Sequence, residues 1–139
     1  MELIIAVFLL SLSFPSHAEV YDYKVNRVVD GDTVEFEAAF LPAPLKPKLS
    51  VRIFGVDTPE KGHRAGCPSE AAKGEEASKF TKNFIKTAKV KKIEIKDWDK
   101  FGGRVLGDVI ADDKSLRAEL IKNGLAREYY GDKKKSWCE

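Results

Sequence analysis

The sequence predicts an α+β domain that is mainly β, and three observations predict it. Apolar and polar residues alternate in five short runs, which is the period of half-buried strands. A helical spacing intervenes between the third and fourth runs and returns after the fifth. The 139 residues, 43% hydrophobic and 33% charged, suit one compact domain. Five short strands with a helix between the third and fourth is the order of an OB-fold barrel, here with two to three helices.

Each element has a local reason. Tyr21, Tyr23, Val25 and Val29 alternate with Asp22, Lys24 and Asn26, a half-buried first strand in which Arg27 is the exception. Asp30-Gly31 then marks a hairpin turn, and Thr33 to Glu37 resumes β-type residues as the second strand. Pro42, Pro44 and Pro47 make a loop, after which Leu49, Val51 and Ile53 alternate with Ser50 and Arg52 in a third strand ending near Val56. Ala77, Phe80, Phe84 and Ala88 set a helix from Ser69 to about Ala88, with Gly74 as its weak point. Val90 to Lys96 and Arg104 to Ile110 are the fourth and fifth strands. Leu116, Leu120 and Ile121 share one face of a second helix, stopped by Gly124. There is no internal repeat, and Lys133-Lys134-Lys135 reads as a solvated end.

Ahead of these elements, Leu3 to Leu12 is an apolar block too short to cross a bilayer, followed by Pro15 and the small-residue run Ser16-His17-Ala18. This pattern predicts a signal peptide over residues 1–18, cut after Ala18, although Glu2 stands where a basic residue is usual. The expected product is a secreted or periplasmic domain of residues 19–139, with no membrane contact once the leader is gone. The leader takes His17 with it, which leaves His63 as the remaining histidine and removes sites built on several imidazoles. His63 lies in the polar stretch Lys61 to Gly66, where a solvated loop histidine is expected. Two cysteines, Cys67 and Cys138, in an exported chain fit a disulfide better than a metal pair or a redox motif. The net charge of +2 is too small to grip nucleic acid by gross attraction, so any such binding must use a local patch.

Chemistry must come from two acidic clusters and two arginines. Val29-Asp30-Gly31-Asp32-Thr33-Val34 taken alone is a hairpin turn. Arg52 with Val56-Asp57-Thr58-Pro59-Glu60 taken alone is a strand followed by a helix or turn start. Together they put carboxylates, without imidazole or thiolate, at strand ends. Hard oxygen donors of this kind select Ca2+ or Mg2+ over Zn2+. An arginine beside such an ion suits phosphodiester chemistry, in which charge gathers on the non-bridging oxygens. Asp99-Lys100-Phe101-Gly102-Gly103-Arg104 offers a second cationic clamp.

These motifs, with Gly124-Leu125-Ala126, resemble the staphylococcal-type thermonucleases over roughly Val25 to Tyr130. The resemblance implies an OB-fold endonuclease, monomeric, that uses Ca2+ to hydrolyse DNA and RNA, single strands preferred, and leaves 3′-phosphate ends. It implies that Asp32, Asp57 and the carbonyl of Thr58 bind the metal, with Asp30 supporting them or holding a metal-bound water. It assigns Glu60 as general base, or at least as the group that orients the water, and Arg52 and Arg104 as stabilisers of the pentacoordinate phosphate. Lys100, Phe101 and Tyr130 are the implied substrate contacts. The extra glycine in Gly102-Gly103 predicts a displaced Arg104 or a bulged turn, and Phe101 replaces the family's tyrosine. The chain also ends soon after Trp137-Cys138, without the family's long final helix, and a Cys67 to Cys138 bridge is expected to stabilise that end instead. Two other readings fit parts of the pattern. One is a noncatalytic OB-fold module that grips single strands by stacking and a basic groove. The other is a different nuclease class using Glu94-Ile95-Lys96, which an ordinary half-buried strand also explains.

Overall fold

The computed structural model of the protein describes residues 18–138, so the predicted leader, apart from Ala18, lies outside the described residues. The predicted first strand is two strands, β1 (Glu19–Tyr21) and β2 (Val25–Asp30), followed by β3 (Thr33–Glu37), β4 (Lys48–Ile53) and a two-residue β5 (Val56–Asp57). A 3₁₀ turn at Gly62–Arg64 leads to helix α1 (Pro68–Thr87). Then come β6 (Lys91–Trp98), β7 (Arg104–Ala111), β8 (Lys114–Ser115), helix α2 (Leu116–Lys122) and β9 (Arg127–Glu128).

The main sheet runs β1-β6-β7-β4-β3-β2, with β8 on β7, while β5 and β9 pair separately. All pairings are antiparallel except β4 with β7, where Arg52 stands opposite Leu106 and Ser50 opposite Arg104. The two edge strands of this order, β1 and β2, are consecutive in the chain and joined by Asp22, Tyr23 and Lys24. Such a link reaches about 14 Å at most. Six strands laid flat would hold their outer members about 24 Å apart. The sheet must therefore curl on itself, and the first strand breaks at Asp22–Lys24 because its two halves serve opposite edges. This is the OB-fold architecture, α+β and mainly β, that the alternation predicts.

The barrel interior is filled by Val34, Phe36, Val51, Ile53, Ile93 and Val109, all nearly solvent-free, and α2 closes over it with Leu116 and Leu120. Helix α1 starts where the sequence dictates. Cys67 is its N-cap, Pro68 occupies its first turn, and Glu70 turns back to accept hydrogen bonds from the backbone N–H groups of Gly66 (2.9 Å) and Glu60 (3.1 Å). Cys67 and Cys138 form the expected disulfide. None of the helices among the described residues is long and apolar enough to cross a membrane.

Candidate active site

The two acidic clusters meet at one end of the barrel because α1 is packed against both. Its Thr81 hydroxyl, buried, donates to the carbonyl of Gly31 at 2.7 Å. A side chain at Gly31 would lie 2.8 Å from the Ala77 Cβ, and one at Gly74 would lie 2.3 Å from the carbonyl oxygen of Glu60. The glycine that weakens the helix by propensity is thus the place where the helix backbone touches the second acidic loop. Thr33 stands opposite Arg52 in the β3–β4 ladder, which sets the first cluster beside the arginine strand.

A cavity of about 430 Å³ results, lined by Asp30, Asp32, Thr58, Glu60, Arg52 and Arg104 among others, with Lys61, Arg64, Lys100, Phe101 and Lys134 on its walls. Asp32 accepts from the Thr33 hydroxyl (3.0 Å) and faces the Arg52 guanidinium (3.9 Å). Asp30 is paired with Arg64 (2.9 Å) and Lys61 (3.6 Å). Glu60 stands 3.6 Å from Arg64, with its side chain 44% exposed. Burial raises the Glu60 carboxyl above its usual range; the Arg64 guanidinium opposes the rise, and Asp32 and Asp30 reinforce it.

Arg104 opens β7, and its guanidinium is ion-paired with Asp99. Burial would raise the Asp99 carboxyl, but the Arg104 pair and the Lys100 N–H outweigh it and hold the group below its usual range. In the Lys100–Gly103 loop, which contains the additional glycine, Gly103 takes φ 77°, and β6 has an irregularity between Ile95 and Asp97. Arg104 lines the same cavity as Arg52, and Phe101 stacks on it at 4.7 Å.

Two residues expected at the site do not line this cavity. Asp57, buried in β5, lies at its edge, in an adjoining cavity that it lines with Thr58, Glu60 and Lys134. Its Oδ2 accepts from the Trp137 indole at 3.0 Å, and Lys134 lies 3.3 Å from its Oδ1. Tyr130 packs over Gly55 and Phe54, and its hydroxyl accepts from Arg117 at 2.6 Å, because β9 pairs with β5 and carries the chain away from the acidic loops. Glu94 and Lys96 line a separate small cavity with Phe54, Asp108, Arg117 and Tyr130. Lys134, read from sequence as a solvated tail, is instead a wall of the acidic cavity. Only Trp137 beside Cys138, a large apolar residue next to the expected cross-link in a charged run, signalled that this tail is tied down.

Oxygen donors alone, from Asp30, Asp32, Glu60 and the Thr58 backbone, suit a hard divalent cation. Among the described residues no group of three or more Asp, Glu, His or Cys side chains is gathered closely enough to chelate one unaided. An ion here would complete its shell with backbone oxygen and water.

The class that fold and site define is an OB-fold barrel with a cavity of carboxylates faced by two arginines. Comparison with known proteins narrows this. The model of the family described as Staphylococcal nuclease homologue (SNase) matches residues 50–137, and the chain belongs to that family. It is 34% identical over 113 residues to a protein named Thermonuclease from Staphylococcus hyicus, covering 81% of this chain and 62% of that one. It is 31% identical over 121 residues to Endonuclease YhcR from Bacillus subtilis (strain 168), covering 84% of this chain and 10% of the relative. A Thermonuclease from Staphylococcus intermedius is 35% identical over 106 residues, 76% of this chain and 58% of that protein. The chain thus spans less than two thirds of these relatives.

Proposed function

We propose that this chain is a Ca2+-dependent nuclease, exported from the cytoplasm, that hydrolyses phosphodiester bonds of DNA and RNA, single strands preferred, and leaves 3′-phosphate ends. One observation carries the reading: Arg52 and Arg104, on neighbouring parallel strands, line a single cavity with Asp30, Asp32 and Glu60. The names of the relatives, thermonuclease and endonuclease, agree with it.

In this reading Asp32, the Thr58 carbonyl and, from the adjoining edge of the cavity, Asp57 would hold the cation, with Asp30 in support, and the ion would supply Lewis-acid charge to the phosphate. Glu60 sits on the cavity wall where it can accept a proton from, or orient, the water that attacks phosphorus. Arg52 and Arg104 present planar guanidinium groups to the phosphate, where negative charge gathers as the fifth bond forms. Asp99 keeps the Arg104 guanidinium from swinging into solvent. Lys100 and Phe101 flank the entrance, an ammonium for a neighbouring phosphate and a ring for a base.

The test is digestion of single-stranded DNA and RNA by the purified protein with Ca2+, Mg2+ or excess chelator, beside Glu60→Gln. Cleavage with Ca2+, weaker cleavage with Mg2+, none with chelator, and a kcat lowered about 100-fold or more in Glu60→Gln with strand affinity kept are expected. Full activity in chelator would remove the metal from the reading. Strand binding without cleavage would favour a noncatalytic module.

A further inference from the structure

The tail from Gly131 to Cys138 has no regular secondary structure, yet several contacts fix it. Cys138 is bonded to Cys67 at the start of α1. Trp137 is buried, with the Arg127 guanidinium 3.8 Å from its ring centre and the Lys73 ammonium at 5.5 Å. Arg127 also donates to the carbonyls of Lys135 (3.3 Å) and Ser136 (3.0 Å). These contacts would anchor the ring without any polar function of its own. The indole N–H nevertheless ends on Asp57 Oδ2 at 3.0 Å.

The choice of donor matters. A lysine or arginine fixed at that oxygen would neutralise the carboxylate, whereas an indole N–H is an uncharged donor and leaves the full negative charge in place. The second oxygen, Oδ1, is met by Lys134 at 3.3 Å, on a side chain 47% exposed that belongs to the wall of the acidic cavity. One oxygen is therefore held by a rigid, neutral group, and the other by a cation on a flexible arm that solvent can reclaim.

We propose that Trp137 is a positioning residue for Asp57. Its indole fixes Oδ2 so that Oδ1 is presented to the divalent cation, and the Lys134 ammonium is the displaceable charge that occupies this oxygen beforehand. The inference rests on the metal reading of the cavity and adds to it how the buried ligand is oriented and what competes for it.

Calorimetric titration of the full protein with CaCl2, without nucleic acid, tests this against Trp137→Phe and Lys134→Gln. Phenylalanine keeps a ring between Arg127 and Lys73 but loses the donor. Its Ca2+ Kd should rise about tenfold, the scale expected when a hydrogen bond orienting a metal ligand is removed. Lys134→Gln should bind Ca2+ more tightly than wild type. A second measurement does not depend on a stable Trp137 variant. The chain has two tryptophans, so in Trp98→Phe the emission is that of Trp137 alone, and it should shift during the titration with the calorimetric midpoint. An unchanged Kd in folded Trp137→Phe, or silent Trp137 emission across a titration in which calorimetry records binding, would overturn the proposal while leaving the metal reading intact. A wild-type protein that takes up no Ca2+ would end both.

Discussion

Replacing Gly74 by alanine reverses an ordinary expectation. In the interior of an exposed helix, Gly to Ala stabilises by about 1 kcal/mol. At Gly74 the new methyl carbon would meet the Glu60 carbonyl oxygen at 2.3 Å, the Glu60 carbonyl carbon at 2.6 Å and the Lys61 nitrogen at 2.8 Å, all of them backbone. Ordinary contact begins at 3.4 Å, so the Glu60–Lys61 segment must retreat from α1 by about 1 Å. Overpacking of this kind costs roughly 1–3 kcal/mol, which cancels or exceeds the gain in propensity. The retreat also stretches the 3.1 Å hydrogen bond that Glu70 accepts from the Glu60 N–H. A misplacement of about 1 Å in a group acting on the attacking water lowers turnover on the order of 100-fold. The assay pairs calorimetric melting with kcat at saturating Ca2+, using Lys82→Ala on the exposed part of α1 as a control. A Gly74→Ala protein that melts higher than wild type and turns over normally would refute the claim that α1 positions Glu60 by direct backbone contact.

Arg52→Lys and Arg104→Lys should both lower kcat with little change in melting, since both guanidinium groups line one cavity and lysine lacks the planar two-pronged donor. A wild-type rate in Arg104→Lys would remove that residue from the phosphate clamp. Reducing the Cys67–Cys138 bridge, which spans 71 residues, should cost about 4 kcal/mol and lower the melting temperature by more than 10 °C; equal melting with and without reductant would show that the tail needs no covalent tie. Asp108 is raised by burial, against its hydrogen bonds from Ser115, Arg117 and Val109. A raised acid stabilises the fold while protonated and loses that contribution as pH climbs past about 4 and through its higher folded value. Urea unfolding should therefore show Asp108→Asn gaining on wild type between pH 4 and pH 7, and a difference that does not change with pH would contradict this.

The elements that could be read from the chain are those whose cause is local. Alternation in Leu49 to Ile53 and the helical spacing of Ala77, Phe80 and Phe84 in α1 carry their own instructions, and the structure follows them. The break in the first strand does not, because it answers a demand made by β6, far away in sequence. Nor do β5 and β9, two residues each, which exist only because Val56 and Asp57 face Glu128 and Arg127. At the site the same division holds. Asp32, Glu60 and the arginines could be found from their motifs. Lys134 was hidden in a charge run, and Tyr130 lies outside the cavity because its position depends on the β5–β9 pairing rather than on any neighbour in sequence.

The curl that joins β1 to β2 also sets an order of events during synthesis. The β2–β3 hairpin needs only its two-residue turn and can form as soon as Glu37 has emerged. Glu19, Val20 and Tyr21 must wait until Ile93, Glu94 and Ile95 exist, since these are their partners. Over that interval the nascent chain carries an unpaired strand with one valine and one tyrosine, Val20 and Tyr21, a template for pairing with other chains. Non-local closure of this kind makes folding slow relative to hairpin formation. A ribosome-stalled fragment ending before Lys91 should hence be aggregation-prone, and one extended past Ala111 should not, because β6 and β7 then have all the residues needed to bring the first strand home.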